Sequence, residues 1–355
     1  MPGADLKAQY GRHVRRKVLA GAALVALCLA AAVAALRTGA YPLGFREMVG
    51  AVLGQAEAPV RHVFWHIRLP QVAAALLAGA CLGLAGVAMQ NVLRNPLASP
   101  FTLGVSQGAV FGATFAIVAL GAGTAAVTGA APAAARSPHL IVACAFGGSL
   151  LTVTALVLLS WLRDLSPAAL ILAGVALSAF FGSATMLLQY FASDVEVASA
   201  VFWTFGDLKR AQWADLAVIL LLLLPTAGYL IWRAWPFNAM VWGDETAKSL
   251  GVRVTWLRLS ALVLAALVAS VTTAFMGIIG FVGLIAPHLV RMVIGEDHRF
   301  LLPYAAVAGG LLVLVSDLLA RTVLAPVVLP VGILTSFAGG PMFLYLLLRN
   351  RRLGL

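Results

Sequence analysis

Stretches of about 20 apolar residues recur from one end of this sequence to the other, and that recurrence decides the solvent in which the chain can fold. A helix rises about 1.5 Å per residue, so about 20 residues cross the roughly 30 Å of hydrocarbon in a bilayer. A chain of 355 residues that is 62% hydrophobic and 10% charged has too little polar surface to coat a water-soluble globule. The sequence therefore reads as an all-α polytopic membrane protein. Ten spans are expected, near 18–36, 69–90, 102–122, 139–160, 168–191, 214–235, 258–276, 279–294, 301–320 and 330–348. Residues 1–17 form a basic leader, 18–348 a single transmembrane domain and 349–355 a tail, with nothing left over for a soluble domain.

Charge sets the expected orientation. An even number of spans puts both termini on one side. Lys7, Arg12, Arg15, Arg16 and Lys17 in the leader and Arg349, Arg351 and Arg352 in the tail mark that side as cytoplasmic. Sixteen of the 24 Lys and Arg residues fall there. Nearly all of the net charge of +11 then faces anionic lipid headgroups, and nucleic-acid binding is not needed to explain it. The first apolar stretch exceeds the roughly 7 to 15 residues of a signal-peptide core, so it reads as a retained helix. Cys28, Cys81 and Cys144 each sit inside an apolar stretch without metal-ligand spacing, which argues against a disulfide framework and a zinc site.

Two segments expected on the cytoplasmic side are unusual. NVLRNPLASPF (91–101) carries two prolines that prevent a continuous helix, so its backbone must be buried in protein or line a water-filled route. Segment 236–257 is long enough to hold structure of its own. There, Asp244 reads as the N-cap of a two-turn helix, with Glu245 in its first turn and Gly251 at the left-handed C-terminal position. Ala247 and Leu250 would share one face, and so short a helix is best explained by docking to something, the alternative being an ordinary surface helix. Arg68-Leu69 before the second span parallels Arg258-Leu259 before the seventh, a weak internal repeat of the kind found in transporters built from two halves.

Catalytic constellations are missing. No G-x-x-x-x-G-K-[ST] occurs, so nucleotide energy must come from a partner. The histidines are scattered, and the His62/His66 pair has no third ligand nearby in sequence. Asp317, one turn before Arg321, is the strongest ionisable candidate inside a span and reads either as a relay or as a structural pair. Gly, Ala, Ser and Thr abound in the spans, which suits helices that pack closely and shift.

Taken together, IRLPQVAAALLAGACLGLAGVAMQNVLRNPLASPFTLGVSQGA, ILAGVALS, GDETAKSLGV, GFVGLIAPHLVRMVIGEDHRFLLP and LPVGILTSFAGGPMFLYLL resemble the FecCD family of importer permeases from about residue 60 to the C-terminus. The resemblance implies a type II ATP-binding-cassette (ABC) importer permease fold with two related halves, in the cytoplasmic (inner) membrane of a prokaryote. It implies a second permease subunit, most simply a second copy, two cytoplasmic ATPases that carry the ATP and Mg, and a periplasmic or lipid-anchored substrate-binding protein. No cofactor or metal is expected on this chain. The cargo would be an iron complex or cobalamin, with ferric siderophore the first expectation and haem and cobalamin the others.

Residue by residue, the resemblance makes Gly243, Asp244, Glu245, Ala247, Leu250 and Gly251 the element that couples to the ATPase. It points to Asn95, Leu97, Ser166, Pro167 and Ala168 as a cytoplasmic gate, although the family often has Ser or Thr where this chain has Pro167. Arg68 and Arg321 would dock the binding protein, and Gln71 stands where a second arginine is common. Between the fifth and sixth spans, Phe202, Trp203, Phe205, Lys209 and Arg210 are candidates for substrate contact or for anchoring at the membrane interface. The competing expectation is a secondary transporter driven by an ion gradient, which also uses repeated halves and broken helices.

Overall fold

The structure, a computed structural model, describes residues 2–39, 41–123, 137–163 and 166–349. Residues 124–136, most of the outer segment expected over 123–138, and the tail arginines Arg351 and Arg352 lie outside them. The chain runs α1 (Pro2–Arg37), α2 (Phe45–Val52), α3 (Ala58–His62), a π-helical segment (Val63–Arg68), α4 (Leu69–Val92), α5 (Val105–Val118), α6 (Pro138–Arg163) and α7 (Pro167–Tyr190). It continues through α8 (Asp194–Thr204), a 3₁₀ turn (Leu208–Arg210), α9 (Trp213–Trp232), α10 (Ala234–Val241), α11 (Asp244–Ser249), α12 (Val254–Met276), α13 (Val282–Ile294), α14 (His298–Thr322) and α15 (Val331–Arg349).

Among the described residues, seven helices are long and apolar enough to cross a membrane, and three shorter apolar ones, Val105–Val118, Val282–Ile294 and Val331–Tyr345, match the remaining expected spans. The α5 and α13 helices are shorter than expected because the backbone turns left-handed just before them, at Gly104 (φ 81°), Gly277 (φ 76°) and Phe281 (φ 64°). A 13-residue helix covers only about 20 Å, so irregular chain completes the crossing, and protein must surround it. The leader also differs from expectation. The α1 helix already begins at Pro2, so the basic residues continue the first span as helix.

The α4 helix is the centre of the bundle. It carries no charge, and most of its side chains are buried on all sides, as a helix with no polar face must be. It packs against α14, α12, α13 and α9. Glycine lets it approach closely: a Cβ on Gly79 would run into the Gly309 carbonyl, one on Gly83 into the Ala305 carbonyl, and one on Gly86 into the Gly283 carbonyl. In a bilayer, where lipid tails are as apolar as side chains, this close backbone contact drives helix association. The α5 and α6 helices repeat the device at Gly108, Gly112 and Gly148. The α1 helix lies along α14, with Gly21 against Tyr304 at one end and the Ala35 carbonyl against Arg321 at the other.

The face from which α1 and α12 start is called here the N-terminal face. On the opposite face, three stretches of non-helical backbone satisfy one another. Asp207 N donates to Met276 O at 2.8 Å, Ile278 N to Thr204 O at 3.3 Å and Gly332 N to Gly206 O at 3.2 Å. The Arg68 and Arg258 segments lie at opposite faces, because α4 and α12 run in opposite directions.

Candidate functional site

The N-terminal face gathers the residues expected to couple and gate. Segment 93–104 descends from the end of α4, and Arg94 takes a left-handed backbone (φ 49°) to begin its turn. Asn95 Oδ1 accepts from Leu97 N at 2.8 Å, closing an Asx turn before the second proline. Leu103 then packs on Gly174 of α7, two turns beyond its start. Ser166 caps α7, its Oγ accepting from Ala169 N at 3.3 Å, and Pro167 occupies the first helical turn, where a missing N–H costs nothing. The structure thus gives Ser166 and Pro167 a helix-starting role and brings the 93–104 segment onto the helix they start.

The segment expected to couple folds as a short helix, α11, bounded by Gly243 (φ 111°) and Gly251 (φ 81°), conformations that L side chains rarely adopt. Gly243 is its N-cap residue, where Asp244 was expected. Asp244 instead turns inward: Arg258 Nη2 donates to its Oδ2 at 2.7 Å, and Arg94 lies 4.0 Å from its other oxygen. Arg258 Nε also donates to Val92 O at 3.0 Å. One guanidinium therefore joins α11, the last turn of α4 and the start of α12. Ala247 is fully buried while Leu250 is exposed, so the shared face expected for them divides: Ala247 anchors the helix, and Glu245, Lys248 and Leu250 face outward. Lys248 meets Glu245 at 2.9 Å on that outer side.

Beside α11 lies a polar chain that sequence reasoning missed. Asn91 Nδ2 donates to Phe237 O at 3.1 Å and sits 3.1 Å from His298 Nε2. Asn238 Oδ1 accepts from His298 N at 2.8 Å and lies 2.9 Å from His298 Nδ1, which fits the tautomer with the proton on Nδ1. Asn238 Nδ2 donates to Asp297 Oδ1 at 3.1 Å. Asp297 also takes Arg299 Nη2 at 2.7 Å and Lys17 Nζ at 3.7 Å, so α4, α10, α14 and α1 are fastened together. The hydrogen bonds from Arg299, followed by the one from Asn238, hold the Asp297 carboxyl well below the usual carboxylate range against the opposing effect of burial. Next to it, Gln90 bonds Arg291 (3.1 Å) and Gly283 O (3.1 Å) at the edge of a cavity of about 410 Å³ that Arg94, Asn95, His288 and His298 also line. The only sequence signal was polarity at span ends, in Gln90-Asn91 and in Glu296-Asp297-His298-Arg299.

On the opposite face Arg68 and Arg321, the two arginines expected to dock a binding protein, are buried. Arg321 Nη2 lies 2.6 Å from Asp317 Oδ2, and Nη1 donates to Ala35 O (3.2 Å) and Thr38 O (3.1 Å). Gln71 Nε2 donates to Asp317 Oδ1 at 2.8 Å. The Arg68 guanidinium lies against Gly39, and its Nε has no hydrogen-bond partner. Arg321 is therefore occupied within the chain, and Asp317 is a structural carboxylate among those partners.

Of the aromatic candidates, Phe202 is exposed and stacks edge-on with Phe205 at 5.7 Å, whereas Trp203 is buried. Arg210 donates to the Phe202 (2.8 Å) and Trp203 (3.0 Å) carbonyls, closing the C-terminal end of α8, and its desolvation lowers its pKa. Lys209 is exposed. His62 and His66 stack at 4.8 Å, and no group of three or more His, Cys, Asp or Glu residues positioned to hold a metal occurs among the described residues.

Comparison with known proteins matches this arrangement. A provisionally named ABC transporter permease protein of Methanocaldococcus jannaschii is 48% identical over 97% of this chain and 98% of that protein. The hemin transport system permease protein HmuU of Yersinia pestis is 39% identical over 96% and 98%. A solved structure provisionally described as a metal-chelate type ABC transporter in an inward-facing conformation superposes with a TM-score of 0.80 at 31% identity, covering 93% of this chain and 98% of that one. The all-α fold is thus that of a type II importer permease. The FecCD transport family matches residues 9–349, and with that match spanning nearly every described element, the chain belongs to the FecCD transport family.

Proposed function

We propose that this chain is the membrane-spanning permease subunit of an ABC importer that moves an iron complex, a ferric siderophore or haem, into the cytoplasm by alternating access. The observation that carries the mechanism is the Asp244–Arg258–Val92 connection, which ties an outward-facing short helix to the base of the irregular 93–104 segment. In this reading α11 contacts a partner ATPase through Glu245 and Leu250. Gly243 and Gly251 fix its ends, and Asp244 and Ala247 pass its movement inward. Asn95 and Leu97 then gate the route together with the Ser166, Pro167 and Ala168 start of α7.

ATP and Mg belong to that ATPase. The N-terminal face is cytoplasmic on this proposal, a reading supported by the excess of Lys and Arg there. A second copy of the chain completes the route. A binding protein outside delivers cargo near Phe202, Phe205 and Lys209, and Arg68 and Arg321 support that surface from beneath. The ion-gradient reading loses ground because Asp317, its strongest carboxylate, is held by Arg321 and Gln71.

ATP-dependent uptake into proteoliposomes containing the chain, its ATPase and its binding protein tests the proposal, with ferric siderophore, haem and cobalamin compared and Glu245→Arg as the coupling variant. Uptake of an iron complex that Glu245→Arg abolishes is expected. Uptake that survives without the ATPase and collapses with the proton gradient would overturn it.

A further inference from the structure

A groove of about 900 Å³ opens on the N-terminal face between the end of α9 and the start of α12. Both helices are apolar and of membrane-crossing length, so their shared end lies where hydrocarbon gives way to lipid headgroups. Its walls combine exposed indole rings with guanidinium groups. Trp235, Trp242 and Trp256 are 65%, 79% and 71% exposed, which suits rings lodged among headgroups. Between them stand Arg233 and Arg253.

Neither arginine has a carboxylate within 4.0 Å among the described residues, although Arg94, Arg258, Arg299 and Arg321 each do. Arg233 is half-buried, its guanidinium 4.3 Å from the Trp232 ring, and its Nε has no hydrogen-bond partner. A cation held on an aromatic ring with unspent donors, beside a second unpaired cation and three exposed indoles, calls for an amphipathic anion.

We propose that this groove holds an anionic phospholipid, its phosphate between Arg233 and Arg253 and its acyl chains against the tryptophans and the flank of α9. Leu250 and Gly251 also line the groove, so the bound lipid abuts the end of α11 and steadies the helix proposed to meet the ATPase. The inference rests on the reading of this chain as a membrane-spanning permease with its N-terminal face toward the anionic leaflet. A partner protein seated in the groove is the competing occupant, and charge complementarity with a headgroup favours the lipid.

The test uses the full chain assembled with its ATPase, exchanged into phosphatidylcholine nanodiscs with increasing phosphatidylglycerol, and measures retained phosphatidylglycerol by native mass spectrometry. Retention does not depend on transport, so it stands or falls separately from the cargo assignment. Arg233→Gln and Arg253→Gln are each expected to weaken retention roughly fivefold, the effect of one arginine near an anionic surface. Arg253→Lys, which keeps the charge on an exposed side chain, is expected to restore most of it and shows that the fold is intact. Arg12→Gln, on the exposed leader outside the groove, is expected to weaken retention distinctly less than either groove variant. Equal loss in Arg12→Gln, or undiminished retention in the double glutamine variant, would overturn the proposal. Loss of ATPase from the double variant with lipid retention intact would assign the groove to the ATPase instead.

Discussion

Arg258 donates to Asp244 Oδ2 at 2.7 Å and, through Nε, to Val92 O at 3.0 Å, so a single side chain spans two segments that are remote in sequence. The ion pair is mostly shielded, with the Arg258 side chain 11% and the Asp244 side chain 25% exposed. Water competes weakly for either group, and the arginine's planar fork suits a simultaneous carboxylate and carbonyl.

Asp244→Ala and Arg258→Ala should therefore act as a unit. A double-mutant cycle on thermal or denaturant stability should give a coupling of about 1 to 3 kcal/mol. In the assembled transporter, either single variant should lower uptake far more than ATP hydrolysis. Equal loss of both activities would mean that the pair only supports folding.

The Asp317–Arg321 pair supports a second prediction. Both side chains are almost completely buried, so Asp317→Leu or Arg321→Met alone strands a charge and should cost about 3 to 5 kcal/mol. Changing both at once removes the stranded charge, and the double variant should melt closer to the parent than either single variant. Thermal denaturation in detergent checks the order.

Close helix packing gives a contrast between two glycines. Gly309→Ala drives a methyl group into the Gly79 carbonyl, and something in the α4–α14 contact must shift, so the yield of monodisperse protein should fall sharply. A Cβ at Gly228, inside α9, meets nothing within 4 Å. Gly228→Ala should be neutral or stabilising by about 0.5 to 1 kcal/mol, the helix-propensity difference. Size-exclusion profiles of the two variants test this directly.

Asp297 predicts a pH dependence. Its folded pKa is depressed, first by its bonds to Arg299, so its contribution is fully present above the unfolded carboxylate value of about 3.9 and disappears as pH falls through the lower folded value. The stability difference between the parent and Asp297→Asn should stay constant from pH 8 to about pH 5 and narrow only below about pH 4. Melting curves across that range check the sign.

Much of this architecture was legible in the sequence because hydrophobic thickness is a one-dimensional constraint. Each expected span has its helix, and α4 is as buried as its unbroken apolar run implies. The bends were harder. Gly104 and Gly277 announce a left-handed backbone by being glycine, but Phe281 adopts one under tertiary pressure that its side chain does not reveal. The α11 helix was legible from Asp244, Glu245 and Gly251. The direction of its side chains was not, because Asp244 points inward only where Arg258 is waiting. The Asn91–His298–Asn238–Asp297 chain was invisible for the same reason: its members come from three separate elements and meet only once the bundle closes. Arg68 and Arg321 were expected to meet a binding protein at the surface, and their burial depends on α1 and the segment after it rather than on local pattern.

The backbone junction formed by Gly206, Ile278 and Gly332 also has a consequence for biogenesis. Residues 204–208 emerge during synthesis long before Gly332 does, and until then the Gly206 carbonyl lacks its bond from Gly332 N. Hydrocarbon offers no substitute partner. The opposite face of the bundle must therefore stay hydrated, or shielded by the insertion machinery, until α15 arrives, and a chain truncated before α15 should be recognised as unfinished even with every longer helix already in place.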